Sequence, residues 1–196
     1  RLHYVGSSPE SAPLIEASFT RAVSIFDRML GKRPYLLGGR PSLADFGVAG
    51  QLAQLASDPT PGAVIRAQAP NVVKWLERMQ KPQVEGEFAS FADLKDDVPE
   101  LLSVEIAGAY LPWMAANADA VARDAGGVSL ELGGIPFTQK PQRYAAKALS
   151  ELRRKRQAVT DEALADLLKQ SGVDAFLLAV ADDSEADAEG EEGEEE

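Results

Sequence analysis

The 196-residue chain has no cysteine. Disulfides, zinc–thiolate sites and a cysteine nucleophile are excluded, a reducing compartment is allowed, and a cytoplasmic location is the expectation. Histidine occurs once, as His3. That excludes a histidine-rich metal cage and leaves no Ser-His-Asp triad inside the fold. No apolar run reaches the ~20 residues needed to span a bilayer, and no signal-peptide pattern is visible. The chain opens at Arg1 rather than Met, so residues before it are an open expectation. Net charge is −11, yet ten carboxylates lie between Asp182 and Glu196. Without them the rest is within about one charge of neutral, so the acidity belongs to a tail. That tail is low-complexity and is expected to be disordered.

What is present is mainly helical in pattern. Ser11 is placed to cap a helix from Pro13 to Leu30. Its inward stripe is Ile15, Phe19, Ala22, Phe26 and Met29, widened by Val23 and Leu30, and Gly31 is a natural C′ residue. Ser42 to Leu55 reads as a central helix. Ser42 is its N-cap, Asp45 sits at N3 to complete a capping box, and Pro41 and Phe46 occupy the staple positions. Beyond the cap only Gln51 and Gln54 are polar, which predicts a buried helix. Gly47 and Gly50, poor helix formers, predict close approach by neighbouring helices. Asp58 to Gly62 reads as a stiff loop. A helix then opens at Pro70-Asn71, with Val72, Val73, Leu76 and Met79 inward.

Residues 81–98 read as a surface connector pinned by Phe88, Phe91 and Leu94. A helical stretch follows from Pro99 to Ala125, expected to break near Leu111 with Pro112 in the first turn of a second helix. Val128–Leu132, Gly133-Gly134 and Ile135–Thr138 predict a β-hairpin, with Pro136 confining its strand to an edge. A helix over residues 141–159 has Tyr144, Ala145, Ala148, Leu149 and Leu152 inward. Thr160 is the expected cap of the next, which carries Leu164, Leu167 and Leu168 and stops at Gly172. Residues 175–180 are a short apolar run suited to packing back.

The order "LLGGRPSLADFGVAGQL", loop, "APNVVKWLERM" after an amphipathic helix resembles the C-terminal, all-helical domain of the glutathione S-transferase superfamily. The resemblance covers about residues 13–80. It implies a mainly α, transferase C-terminal-like helical bundle (residues 1–80). Residues 81–181 would be a helical extension packed on it, with a hairpin near 128–138, and 182–196 the acidic tail. It also implies a preceding thioredoxin-like domain that holds glutathione, the co-substrate, and activates its thiol. A homodimer and a small electrophilic, apolar substrate are the other expected partners; no membrane is expected, and nucleic acid is a disfavoured partner. Nothing in this chain reads as that first domain, so no catalytic residue, cofactor-binding residue or metal ligand carries over.

Tyr110, Trp113, Met114 and Asn117 are the candidate substrate-binding residues: aromatic, thioether and amide groups on one helical stretch, of the kind that lines the family's electrophile cleft. Core packing is the competing reading, with Asn117 bonded to a neighbour. Lys140, Arg143, Lys147 and Arg153–Arg156 form a basic region opposed by Glu151. A solvated helix C-terminus accounts for it; a nucleic-acid surface and contact with the acidic tail are alternatives. The function implied is the helical half of a glutathione S-transferase-like protein, conjugating thiolate to an electrophile. The alternative is a non-catalytic interaction module of the same fold.

Overall fold

A computed structural model describes residues 5–178. Six elements lead the chain: α1 (Ala12–Leu30), α2 (Leu43–Ser57), α3 (Pro59–Gln68), α4 (Pro70–Met79), α5 (Phe91–Leu94) and a π-helical segment over Leu101–Tyr110. There follow α6 (Leu111–Ala122), the hairpin β1 (Val128–Leu132) and β2 (Ile135–Gln139), then α7 (Arg143–Gln157), α8 (Glu162–Gln170) and α9 (Asp174–Leu177). The expected acidic tail and the end of the apolar run at Val180 lie outside the described residues.

One core joins α1 to α4. It centres on Val23, Ile25 and Met29 of α1, Leu52 of α2, Ile65 of α3, and Val72 and Trp75 of α4. Of the expected α1 stripe, Val23, Met29 and Leu30 are buried and Phe19 and Phe26 pack against the core, whereas Ile15 is 39% exposed and Ile25, not expected inward, is buried. Gly31 has an ordinary φ of −70°, not the left-handed cap expected. Its smallness matters for another reason, because a Cβ there would stand 3.1 Å from the Asn71 amide. Ser11 does not cap α1 through its side chain; its hydroxyl donates to the Gly6 carbonyl. Asp27 ties α1 to α4 by accepting the Asn71 and Val72 N–H groups at 2.7 and 3.2 Å. Those first-turn donors have no cap of their own, since Ala69 precedes them.

The capping box of α2 forms as read, Ser42 and Asp45 bonding reciprocally. The rest of α2 corrects the sequence reading. Only Asp45 and Leu52 are buried, Leu43 is 83% exposed, and a Cβ on Gly47 or Gly50 would meet nothing within 4 Å. Among the described residues, no helix covers its outer face. The stiff loop is instead the start of α3. Pro59 occupies the first turn, where a missing N–H costs nothing, and Asp58 accepts from the Thr60 N–H. Trp75, not among the expected inward residues, is fully buried.

The connector after α4 pairs with the segment before α2. Gly39 N–H donates to Glu87, Glu85 to Gly39 and Ala89 to Leu37, at 2.7–2.9 Å. Gly38 has φ +138°, and a Cβ on it would lie 2.4 Å from the Ala89 nitrogen. Phe88 is 54% exposed under the Arg40 guanidinium. Asp97 anchors the connector to Lys32 and Arg33. Burial pushes the Asp97 carboxyl up, but the hydrogen bonds and charges of Lys32 and Arg33 outweigh it and hold it below its ordinary value. A carboxyl lowered in the folded state stabilises above its unfolded pKa, and that contribution disappears as pH falls through the folded value. The urea midpoint is therefore expected to fall below about pH 4. Asp97→Asn should show a smaller acid-induced fall; an identical pH profile for both proteins would remove Asp97 from the account.

Pro112 does not break the chain. Tyr110 and Leu111 both keep right-handed helical angles, and Leu111 N–H bonds Ile106 in an i→i−5 turn. The widened turn delivers Pro112 to the first turn of α6, as expected. The hairpin forms with Leu132 opposite Ile135. Gly133 and Gly134 sit at φ +57° and +80°, the double positive φ that a two-residue turn of this hand requires. Behind the hairpin, α6, α7 and α9 share a second core of Leu111, Met114, Leu149, Val173 and Leu177. Tyr144, expected inward, is 85% exposed; Ala145 and Leu149 are the buried face of α7. Asp161 rather than Thr160 caps α8, accepting from the Leu164 N–H at 2.8 Å. Gly172, at φ +80°, ends it. Val173 N–H then reaches back to Leu168 and Gly172 N–H to Lys169, the paired bonds of a Schellman closure.

Candidate functional site

An apolar cleft of about 380 Å³ lies between α1, the π segment and the hairpin. Leu14, Ile15, Ser18 and Ala22 supply one wall. Their spacing of three, four and one residues places them on a single helix face. Ile106, Ala109 and Tyr110 of the π segment and Trp113 of α6 form the opposite wall, and Leu132 and Phe137 of the hairpin close the end. Tyr110 is 43% exposed. Its ring lies 5.9 Å from that of Trp113, tilted by 35°.

The cleft has one charged pair, and it is internally balanced. Glu105, 8% exposed, accepts from the Ser18 hydroxyl and from Arg21 Nε at 2.6 Å. A buried carboxylate needs such partners. Arg21 and Ser18 therefore fasten α1 to the π segment while cancelling the charge that an apolar ligand would otherwise meet. Burial pushes the Tyr110 hydroxyl up from its usual value. At neutral pH it is a neutral hydroxyl, a donor or acceptor and not a phenolate base. Trp113 Nε1 is buried without an acceptor among the described residues. An unsatisfied buried donor costs roughly 1–3 kcal/mol, and such a group calls for a reason.

The four sequence candidates divide. Tyr110 and Trp113 stand together on the cleft wall. Met114 is fully buried in the second core. Asn117 is fully buried too, its amide donating to the Gln142 carbonyl at 2.9 Å and accepting from the Gln142 N–H at 2.7 Å. Neither reaches the cleft. Ser18, Arg21 and Glu105 were missed by sequence reasoning. The available signal was Glu105, a lone acid in the apolar run Leu101-Leu-Ser-Val-Glu-Ile-Ala-Gly-Ala-Tyr110.

Ser42 and Asp45 stand apart from the cleft and organise the first core. Asp45 Oδ1 accepts from Leu36 N–H and Trp75 Nε1–H at 2.8 and 3.0 Å. Its Oδ2 accepts from the N–H and the hydroxyl of Ser42 at 2.9 and 2.6 Å. A second hollow of about 590 Å³ lies between α5, the start of the π segment and α8. It carries Lys95, Asp96, Asp166 and Gln170 on its walls and lacks the aromatic pair. Among the described residues no cluster of His, Asp and Glu is arranged to hold a metal, and no helix is long and apolar enough to cross a membrane.

Residues 9–78 match the family described as glutathione S-transferase, C-terminal domain. The match takes in α1 to α4 nearly whole, including the α1 wall of the cleft and the Ser42–Asp45 box. Over the matched residues the four-helix arrangement is consistent with such a helical domain; the π segment, the antiparallel hairpin and α6 to α9 lie beyond the match. No curated protein and no solved structure matches the chain.

Proposed function

We propose that this chain is the electrophile-binding half of a glutathione S-transferase-like protein. The observation that carries the reading is the 380 Å³ apolar cleft, with Tyr110 and Trp113 on one wall and the family-matched α1 on the other. Glutathione is the co-substrate that the family implies. Its site would belong to a thioredoxin-like domain joined to this one, which would also supply the thiol-activating group. The described residues contribute an apolar seat and a neutral Tyr110 hydroxyl that could hydrogen-bond a ligand oxygen. Residues up to about 80 would be the family-like core and 81–181 an extension that completes the cleft. A dimer and a cytoplasmic location belong to the same reading.

Toluene tests the cleft directly. The two indole N–H signals are separable probes, because Trp75 is fully buried on Asp45 while Trp113 lines the cleft. Titration of the isotope-labelled protein is expected to move the Trp113 signal and leave Trp75 in place. Ala109→Phe, which fills the cleft, should weaken the response by about tenfold, or 1.4 kcal/mol. An unmoved Trp113 signal at saturating toluene would falsify the reading.

The interaction-module reading has its own support, the uncovered apolar face of α2 with Leu43 at 83% and Phe46 at 53% exposure. Contiguous exposed apolar surface marks contact sites. Phe46→Glu separates the two readings: it should abolish partner capture if the module reading holds, and leave toluene binding unchanged in either case.

A further inference from the structure

The cationic run on α7 has no part in the cleft, and its geometry is directional. Arg156 pairs bidentately with Asp174 at 2.7 and 2.8 Å, and Arg153 Nε donates to the Phe176 carbonyl at 3.1 Å. As α9 advances from 174 to 176, its partners on α7 step back from 156 to 153. From Asp174 to Phe176, α9 therefore runs along α7 toward the latter's N-terminal half. Arg143 and Lys147 stand there, both exposed. Among the described residues neither makes an ion pair. Arg154 lies on the same exposed face, at i, i+4 and i+11 from Arg143. It shares the single carboxylate of Glu151 with Lys155. The Arg154 hydrogen bond, opposed by burial and helped by the charges of Arg154 and Lys155, holds the Glu151 carboxyl down to about 2.

The sequence that follows has the opposite character. Asp182, Asp183, Glu185 and Asp187 open a run of ten carboxylates that ends at Glu196, with no basic residue among them. Asp182 is four residues past Leu178 and can reach about 13 Å. The axial distance from Arg153 back to Arg143 is about 15 Å. Single exposed ion pairs are weak, but a tether holds many carboxylates near the cations at an effective concentration on the order of mM. We propose that segment 182–196 docks in cis on the exposed cationic face of α7, with Arg143 and Lys147 as its first contacts. Docking would cover the chain's basic surface and exclude external polyanions from it.

The absence of cysteine makes the test clean. Ser184→Cys introduces a unique thiol for a nitroxide spin label on the full chain. Proximity to α9 alone will relax nearby amides, so the readout is the dependence on charge. Relaxation of the amides of residues 143–150 should drop at least about twofold between ~20 mM and ~0.5 M salt, as screening removes the attraction. It should drop similarly at low salt in Arg143→Glu/Lys147→Glu. Neutralising Asp182, Asp183, Glu185 and Asp187 to Asn or Gln should do the same without touching the described fold, which guards against an unfolded α7 variant. Equal relaxation at both salts and in both variants, as a bare tether gives, overturns the proposal. So does a DNA duplex that shifts the α7 amides while the label effect stays independent of salt; the face would then serve an external polyanion.

Discussion

Asp45→Ala is expected to remove about 4 kcal/mol of folding stability. Asp45 has no exposed surface, and it receives four donors from three parts of the chain. Leu36 N–H belongs to the turn before α2, Ser42 to the α2 cap, and Trp75 to α4. Bonds to a charged acceptor are worth roughly 1.5–3 kcal/mol each, and a buried donor left alone costs roughly 1–3. The four act as one cluster, so they do not sum. Against a typical total of about 5–15 kcal/mol, the loss would pull the denaturant midpoint down sharply. Asp45→Asn keeps the volume but turns an NH₂ toward donors, so it should recover little. Ser42→Ala loses only the cap hydroxyl and should cost about 0.5–2 kcal/mol. A midpoint for Asp45→Ala within about 1 kcal/mol of the parent would show that Asp45 does not bind these three segments together.

The same cluster shows what a sequence discloses. The Ser42–Asp45 box was legible because capping is local: the partners are three residues apart and the geometry follows from the helix start. The hairpin was legible for the same reason, since Gly133-Gly134 dictates its turn. Trp75 and Leu36 as partners of Asp45 were not, because those contacts span 30 and 9 residues and no pattern encodes them. The reading of α2 as buried followed from its composition, and the composition was read correctly. Burial, however, also requires a neighbour, and the described residues provide none for its outer face. Prolines misled in the opposite sense. Pro59 and Pro61 looked like loop formers, yet both fit the first turn of α3, where their missing N–H groups have no helical partner to lose. In the cleft, Tyr110 and Trp113 were reached through the family resemblance, which also named Met114 and Asn117, neither of which lines the cleft. The Ser18–Glu105–Arg21 link joins elements more than 80 residues apart and left only the oddity of one acid in an apolar run.

Asn117→Ala is expected to cost about 2–3 kcal/mol while leaving the cleft's affinity for toluene unchanged. The amide joins the middle of α6 to the residue before α7, with both of its polar atoms engaged by the Gln142 backbone. Gln142 supplies no side-chain cap of its own, so Asn117 positions the start of α7 by holding both backbone groups of the residue before it. Removing it strands a donor and an acceptor and leaves a small void. A polar residue on an apolar helix face invites a ligand-binding reading, and the two roles predict different measurements. A ligand contact would weaken toluene binding and spare the denaturation midpoint. The structural contact lowers the midpoint and spares binding, because Asn117 is no part of the cleft wall. Met114→Leu is the matched control on the same helix. It preserves volume in the second core and should cost less than about 1.5 kcal/mol. Weaker toluene binding with an unchanged midpoint in Asn117→Ala would return Asn117 to the ligand and require α6 to turn relative to the cleft.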